Sequence, residues 1–375
     1  MPVWSIQKSP PWAEFGGFWA DGAMVDRETL VSDALTADSS VTASETIIVL
    51  VAAVWLTVGL FVDGYAHEHL LSGGESFLTP WHVLFYSGFT AAAMAIGRIV
   101  YRRVGSGPLW DCVPFGYRIG VAGLGVFAVG GIGDAWWHTR FGFEKGTEAL
   151  YSPSHLLLFV GLVAIVTCPY RSTSQHARGA SASWSTFWPA ALSMMLAISV
   201  VAFFSPWAFY SDTWYRVAYD AATNAGDTEV NAALGAELVT TMVLIGAVLF
   251  VLRDWRPPQG TFALVFTSAA AVFWVAIGGP AVAVMAAFLG GITIDVVLAP
   301  LHDTARPCRN RLARLYTANM CGAAVIWSSL HLLLFASGDL AWSAPLAAGT
   351  PALCALLAGG LTALANPAVE HSSVR

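Results

Sequence analysis

Six residues have the types and the spacing of a metal-binding set that occurs twice in the chain. They are Asp63, His67 and His82 in the first set, and Asp134, His138 and His155 in the second. In each set the Asp and the first His are four residues apart, which places them on one face of a helix. Each last His follows a Thr-Pro or Ser-Pro step, a pattern typical of a helix start. Two imidazoles and one carboxylate are a suitable ligand set for copper, zinc or iron.

The sequence around the two sets is also shared. Both stretches read D-x3-H, then a loop, then G-x-E-x3-[ST]-P-x-H-x-L, and a glycine stands six residues after the last His, at Gly88 and Gly161. The stretches differ in the spacing of their histidines, which is 15 residues in the first and 17 in the second. So many matched positions in the same order predict a tandem duplication of one helix–loop–helix hairpin.

Other readings of these residues stay open. Each Asp could hydrogen-bond its own His and close the hairpin without any metal. Glu75 and Glu148, in the loops, could be additional ligands, could orient an imidazole, or could be solvated. His331 lies in a Ser-Ser-Leu-His sequence that resembles the one around His155; it could reach the same layer or be a hydrogen-bonded core histidine.

The composition indicates which elements position these residues. Of 375 residues, 56% are hydrophobic and only 11% are charged, against about 25% charged in soluble domains. This predicts an all-α, polytopic integral membrane protein. A net charge of −6 and the absence of a long basic run argue against nucleic-acid binding.

Apolar segments long enough to cross about 30 Å of hydrocarbon occur about ten times. We place these transmembrane helices at 46–66, 79–100, 114–137, 153–169, 187–208, 232–252, 261–278, 280–300, 316–336 and 345–365. The chain then divides into a cytoplasmic N-terminal tail (1–45), a four-helix tandem repeat (46–170) and a six-helix remainder (171–375).

The distribution of basic residues predicts the orientation of these spans. With both termini in the cytoplasm, 15 of the 18 Lys and Arg residues lie on the inner side, as the positive-inside rule requires. The two Asp–His–His sets then face the outer side of a plasma (inner) membrane. None of the five cysteines falls in an outer loop, so we expect no external disulfide.

The second set also resembles a known family. Asp134-Ala-Trp-Trp-His138, followed by Ser152-Pro-Ser-His155, is similar to the C subunit of the copper membrane monooxygenases, the particulate methane and ammonia monooxygenases. The resemblance implies that Asp134, His138 and His155 bind copper, and that the first set does so by analogy. It covers about 28 residues, twice. The family has one such motif per chain, a shorter loop, fewer spans and two further subunits.

Three functions are compatible with these observations. The favoured one is a monooxygenase-like site, with copper as the first choice and iron as an alternative, that oxidises a small apolar substrate. The second is a zinc-dependent intramembrane lipid hydrolase in which Glu75 or Glu148 acts as base. The third is a non-enzymatic protein that handles or transports a metal or haem. The expected partners are the lipid bilayer and either further membrane subunits or a second copy of the chain.

Overall fold

The fold is given by a computed structural model of the 375-residue chain. The structure describes residues 41–70, 79–104, 108–142, 150–174, 182–206, 215–218, 226–276, 278–302 and 311–366. The N-terminal tail predicted at 1–45 therefore lies almost entirely outside the described residues.

The described residues are helical, with no strand among them. The helices are α1 (Ala43–His69), α2 (Pro80–Tyr101), α3 (Phe115–Phe141), α4 (Pro153–Val166), α5 (Cys168–Ser174), α6 (Trp184–Phe204), α7 (Asp227–Asp254), α8 (Thr261–Ala276), α9 (Val282–Leu298), α10 (Arg311–Ser337) and α11 (Ala344–Ala365). Short 3-10 turns cover Leu109–Cys112 and Ala299–His302.

Within this described part, nine segments are long and apolar enough to cross a membrane, with α4 and α5 counted together as one segment of 22 residues. This is the architecture of a multi-pass membrane protein. The predicted span at 261–278 corresponds to α8, an apolar helix of 16 residues. At 1.5 Å per residue α8 is about 24 Å long, which is shorter than the hydrocarbon layer.

The ends of α8 explain why it is short. At its start, the buried carboxylate of Asp295 on α9 accepts hydrogen bonds from the backbone N–H groups of Phe262 (3.3 Å) and Ala263 (2.9 Å). At its other end the chain turns through Gly278 and Gly279, with φ of 103° and 110°. Only glycine adopts such angles without strain, so the helix cannot continue through this turn.

The buried apolar side chains of the described residues form two clusters. The first joins α1 to α5 with one face of α6. The second joins Tyr170 of α5 and the remaining face of α6 with α7 to α11. Because α5 and α6 contribute to both clusters, they connect the first four spans to the rest of the bundle.

Glycines bring α1 and α2 into close contact. A Cβ atom at Gly59 would lie 2.7 Å from the Cα of Phe85, and one at Gly88 would lie 2.6 Å from the Cα of Leu56. Backbone atoms cannot yield as a flexible side chain can, so any larger residue would force the helices apart. Such small-residue crossings are common between membrane helices, which associate by packing rather than by the hydrophobic effect.

The pair α3 and α4 crosses in the same way. A Cβ atom at Gly130 would lie 2.9 Å from the backbone nitrogen of Leu158, and one at Gly161 would lie 2.7 Å from both the Cβ and the backbone nitrogen of Phe127. The two crossings are equivalent in sequence. The residues on α3 are 71 positions after their equivalents on α1, and the residues on α4 are 73 positions after their equivalents on α2. The same two offsets relate the residues of the two Asp–His–His sets. The two hairpins thus have equivalent crossing points below equivalent polar residues.

We predict that alanine at a crossing glycine destabilises the protein, whereas alanine at an open glycine of the same hairpin does not. Gly88→Ala and Gly161→Ala should each cost about 1–3 kcal/mol, the usual effect of overpacking. Gly97→Ala and Gly125→Ala, where no atom lies within 4 Å of the new Cβ, should be neutral or stabilising by about 0.5–1 kcal/mol. Thermal unfolding of the full chain in detergent measures these differences. Equal stability of both kinds of variant would contradict the close crossings.

Candidate metal centres

The structure brings each Asp–His–His set together. In both sets, one potential ligand atom from each of the three residues lies within 4.8 Å of the others. We call the set of Asp63, His67 and His82 the first centre, and the set of Asp134, His138 and His155 the second centre.

The local sequence explains how each hairpin positions the three side chains of its centre. Asp63 and His67 lie one turn apart near the end of α1, and His82 lies in the first turn of α2. The hydroxyl of Thr79 caps α2 by accepting a hydrogen bond from the backbone N–H of His82 at 3.2 Å, and Pro80 occupies the first helical position. This start fixes the histidine relative to the preceding helix.

The second hairpin repeats this arrangement. Asp134 and His138 lie one turn apart near the end of α3, and the Ser152 hydroxyl accepts a hydrogen bond from the backbone N–H of His155 at 3.3 Å. Pro153 again opens the helix.

In the first centre the three side chains converge loosely. Nε2 of His67 lies 3.8 Å from Oδ2 of Asp63, and Nε2 of His82 lies 3.6 Å from Oδ1. The two Nε2 atoms are 3.3 Å apart. At most one hydrogen atom can lie between two facing ring nitrogens, so this arrangement also suits a cation that both can bind.

The second centre is tighter and more buried. Oδ1 of Asp134 lies 3.3 Å from Nε2 of His138 and 3.1 Å from Nε2 of His155. The Asp134 side chain is 2% exposed, compared with 15% for Asp63. Two ligand atoms that are each about 2.1 Å from one ion lie about 3 to 3.5 Å apart at tetrahedral or octahedral angles. The spacing in the second centre therefore fits a shared transition metal.

Hydrogen bonds determine where the proton of His155 lies. The Ser154 hydroxyl donates its single proton to Oδ1 of Asp134 at 3.3 Å, so it must accept the proton of Ser152 across their 3.1 Å contact. Ser152 then has no proton left for His155, and its Oγ must accept from Nδ1 of that ring at 2.7 Å. In the neutral ring this leaves Nε2 without a hydrogen.

The same conclusion holds for His138. Its Nδ1 lies 3.2 Å from the carbonyl oxygen of Gly142, which can only accept a hydrogen bond. Nδ1 therefore carries the proton, and Nε2 presents a lone pair. Two lone pairs then face the carboxylate oxygen of Asp134. These atoms repel one another unless a metal ion or a further proton lies between them, the proton belonging either to an imidazolium or to a protonated carboxyl group.

Asp134 accepts hydrogen bonds from two hydroxyl groups that have no counterpart at Asp63. Besides Ser154, the Tyr86 hydroxyl donates to Oδ2 of Asp134 at 3.1 Å. The residues equivalent to these two in the other hairpin are Trp81 and Phe159, which lack a hydroxyl group. Oδ1 of Asp63 is buried and accepts no hydrogen bond from the described residues.

Tyr86 also joins the two centres. It belongs to α2 and lies one turn after His82. The rings of Tyr86 and His82 are stacked, with their centroids 6.4 Å apart and an interplanar angle of 26°. Its hydroxyl reaches across to Asp134 on α3. The two centres therefore lie side by side rather than at opposite ends of the bundle.

The remaining residues singled out in the sequence lie elsewhere. Glu75 and Glu148 fall outside the described residues. His331 hydrogen-bonds Glu237 on α7 through Nε2 (2.8 Å) and the carbonyl oxygen of Ala347 through Nδ1 (2.9 Å), within the second half of the bundle. Glu237 was missed by sequence reasoning, although a lone acidic residue inside an apolar span is itself a signal of function.

No protein-family model, curated protein or solved structure matches the chain. The chemistry of the two centres must therefore be inferred from their own residues.

We predict that His138 and His155 are both protonated on Nδ1 in the metal-free protein above the pH range in which imidazole is charged. In Ser154→Ala the proton of Ser152 is released and can be donated to Nδ1 of His155, so this ring should shift toward the Nε2–H tautomer and bond Asp134. His138, which bonds a carbonyl, should not change and is the internal control. Histidine ¹⁵N chemical shifts distinguish the tautomers. An Nε2–H form of His155 in the unmutated protein would contradict the hydrogen-bond assignment.

Proposed function

We propose that this protein is a membrane-embedded, monooxygenase-like metalloenzyme whose second centre binds copper, or alternatively iron, and oxidises a small apolar substrate. The observation that carries the proposal is the meeting of two imidazole Nε2 atoms and one carboxylate oxygen at Asp134, His138 and His155. Two histidines and one carboxylate on a metal leave coordination positions open for oxygen, which is the arrangement that non-haem iron oxygenases use.

The residues around the centre suit this chemistry. The bound metal would supply the activation of O2, with one oxygen atom inserted into a C–H bond and the other reduced to water by two electrons and two protons from an external donor. The side chains of Tyr86 and Ser154 hold the Asp134 carboxylate in one orientation. The Ser152 hydroxyl and the Gly142 carbonyl hold the two rings with Nε2 facing inward.

The choice of copper rests on the resemblance of the second hairpin to the C subunit of the copper membrane monooxygenases. The Asp-x3-His pair and the Ser-Pro-Ser-His step carry that resemblance. The proposal includes further membrane subunits or a second copy of the chain as partners, as that resemblance implies.

We propose in addition that the first two hairpins arose by duplication. The equivalent crossing glycines and the equivalent N-cap hydroxyls of Thr79 and Ser152 support this. The first centre is then the weaker metal site, because Asp63 lacks the donors that orient Asp134 and because the bulky Trp81 replaces Ser154.

The proposed orientation places both centres on the outer side of the plasma membrane and both termini in the cytoplasm. At the opposite end of the first hairpin, Glu45 forms ion pairs with Arg102 (2.9 Å) and Arg103 (3.3 Å). Arginine clusters mark cytoplasmic ends of spans.

Impermeant maleimide labelling of single-cysteine variants in sealed spheroplasts tests this orientation. Leu70→Cys and Phe141→Cys, at exposed positions beside the two centres, should react without permeabilisation. Val104→Cys, exposed at the opposite end, should react only after permeabilisation. The reverse pattern would overturn the orientation.

Elemental analysis of the full chain, purified in detergent without added metal, tests the metal sites. The unmutated protein should contain copper or iron, up to two ions per chain. His155→Ala removes one of three ligands and should lose most of the metal of the second centre, while His82→Ala should lose the smaller share bound at the first. His69→Ala is a matched control, because this histidine bonds the Tyr65 carbonyl and belongs to neither centre. Full retention of metal in both ligand variants would overturn the proposal.

The same proteins, supplied with a short alkane and a two-electron donor, test the reaction. Oxygen consumption coupled to alcohol formation should depend on His155 and should persist in His69→Ala. Zinc as the bound metal, without oxygen consumption, would reject the monooxygenase chemistry and indicate the hydrolase class instead.

A further inference from the structure

The second half of the bundle contains a buried acid–base pair that shares no residue with the metal centres. Glu237 on α7 is fully buried, and His331 on α10 is 4% exposed. Nε2 of His331 lies 2.8 Å from Oε1 of Glu237. Two titratable side chains in direct contact within an apolar bundle are costly to bury, and in membrane proteins they commonly serve proton transfer.

The hydrogen bonds of the imidazole fix the number of protons in this pair. Nδ1 of His331 faces the carbonyl oxygen of Ala347 at 2.9 Å, so Nδ1 carries a hydrogen. The short contact between Nε2 and Oε1 then requires one further proton between them. This proton belongs either to an imidazolium facing a carboxylate or to a neutral imidazole facing a carboxylic acid. The pair has no net charge in both forms, which suits its surroundings.

A third side chain joins this pair: the hydroxyl of Tyr215, a buried residue next to a surface ion pair. Tyr215 donates from its hydroxyl to Oε1 of Glu237 at 3.2 Å, and its backbone carbonyl accepts from Ala341 at 2.8 Å. The next residue, Arg216, forms a 3.2 Å ion pair with Asp339, and both of these side chains are partly solvent-exposed. A phenol hydroxyl can both donate and accept, so Tyr215 has the chemistry needed to relay a proton to Glu237.

One polar atom of the pair is not used by this network. Oε2 of Glu237 is buried and has no hydrogen-bond partner among the described residues. Such an atom is unfavourable in a side chain whose purpose is only to hold helices together. It is expected in a carboxyl group that must accept a proton in part of a cycle.

We propose that Glu237 and His331 form an intramembrane proton-binding site that takes up and releases one proton through Tyr215. The ligand is the hydrogen ion itself, the species that reaches so buried a pair without opening the bundle. Among the described residues, the titratable or charged groups near the pair include Tyr215 and, on α11, Cys354, with Arg216 and Asp339 partly exposed. The site gives the second half of the molecule an activity separate from that of the metal centres.

The histidine ¹⁵N signals of the full chain in lipid nanodiscs test the site, with His331 assigned from the His331→Gln spectrum. In the unmutated protein the Nε2 signal of His331 should change in one step with pH while Nδ1 keeps its hydrogen. Glu237→Gln should abolish this step, because the glutamine amide can donate to Nε2 and preserve the contact but cannot release a proton. Glu229→Gln, a partly buried residue in the first turn of the same helix, should leave the step unchanged.

The outcomes are distinct. A pair with a purely structural role would give His331 signals that do not change over the whole pH range in which the protein stays folded, and this would overturn the proposal. A step that persists in Glu237→Gln would also overturn it, since the proton would then not be shared with Glu237. Thermal unfolding of Glu237→Gln establishes that the variant is folded, and Glu237→Asp, which keeps the carboxyl group, should retain a step if it folds.

Discussion

Asp134 is the residue at which three of the first four spans meet. A carboxylate in apolar surroundings is stable only when its oxygens are engaged, and four side chains from three helices meet this one: His138, Ser154, His155 and Tyr86. Loss of α2 or α4 would remove a hydrogen bond that this buried carboxylate accepts, from Tyr86 or from Ser154. The carboxylate therefore links α2, α3 and α4 at one level of the bundle.

The separation of the helices beside Asp134 is determined by the glycine crossings further along each helix pair. Because glycines bring the backbones of α1 and α2, and those of α3 and α4, into contact, each pair of helices has a defined separation at the polar end. A ligand set with distances of 3.1 and 3.3 Å has little tolerance for a shift of the helices. The ligand distances at the centres therefore depend on the packing at the crossing points.

The sequence allowed much of this arrangement to be anticipated, because its signals are local. Spacings of four residues, the Thr-Pro and Ser-Pro starts and long apolar runs all act within one helix or one hairpin. The contacts that distinguish the second centre are different in kind. Tyr86 reaches Asp134 from another hairpin, 48 residues away, and Glu237 meets His331 over 94 residues. No periodicity within a single segment encodes such partners, and the short α8 likewise depends on a cap from α9.

The hydroxyl of Tyr86 has a consequence for how such a protein can evolve. In a symmetric pair of identical hairpins, every residue occurs at both equivalent positions, so a donor added beside one carboxylate would be added beside the other. Tyr86 opposite Phe159, and Ser154 opposite Trp81, are combinations that such symmetry forbids. Joining two hairpins in one polypeptide removes this restriction. One copy can then contribute a side chain to its neighbour without receiving one in return, and the two carboxylates can acquire unequal surroundings.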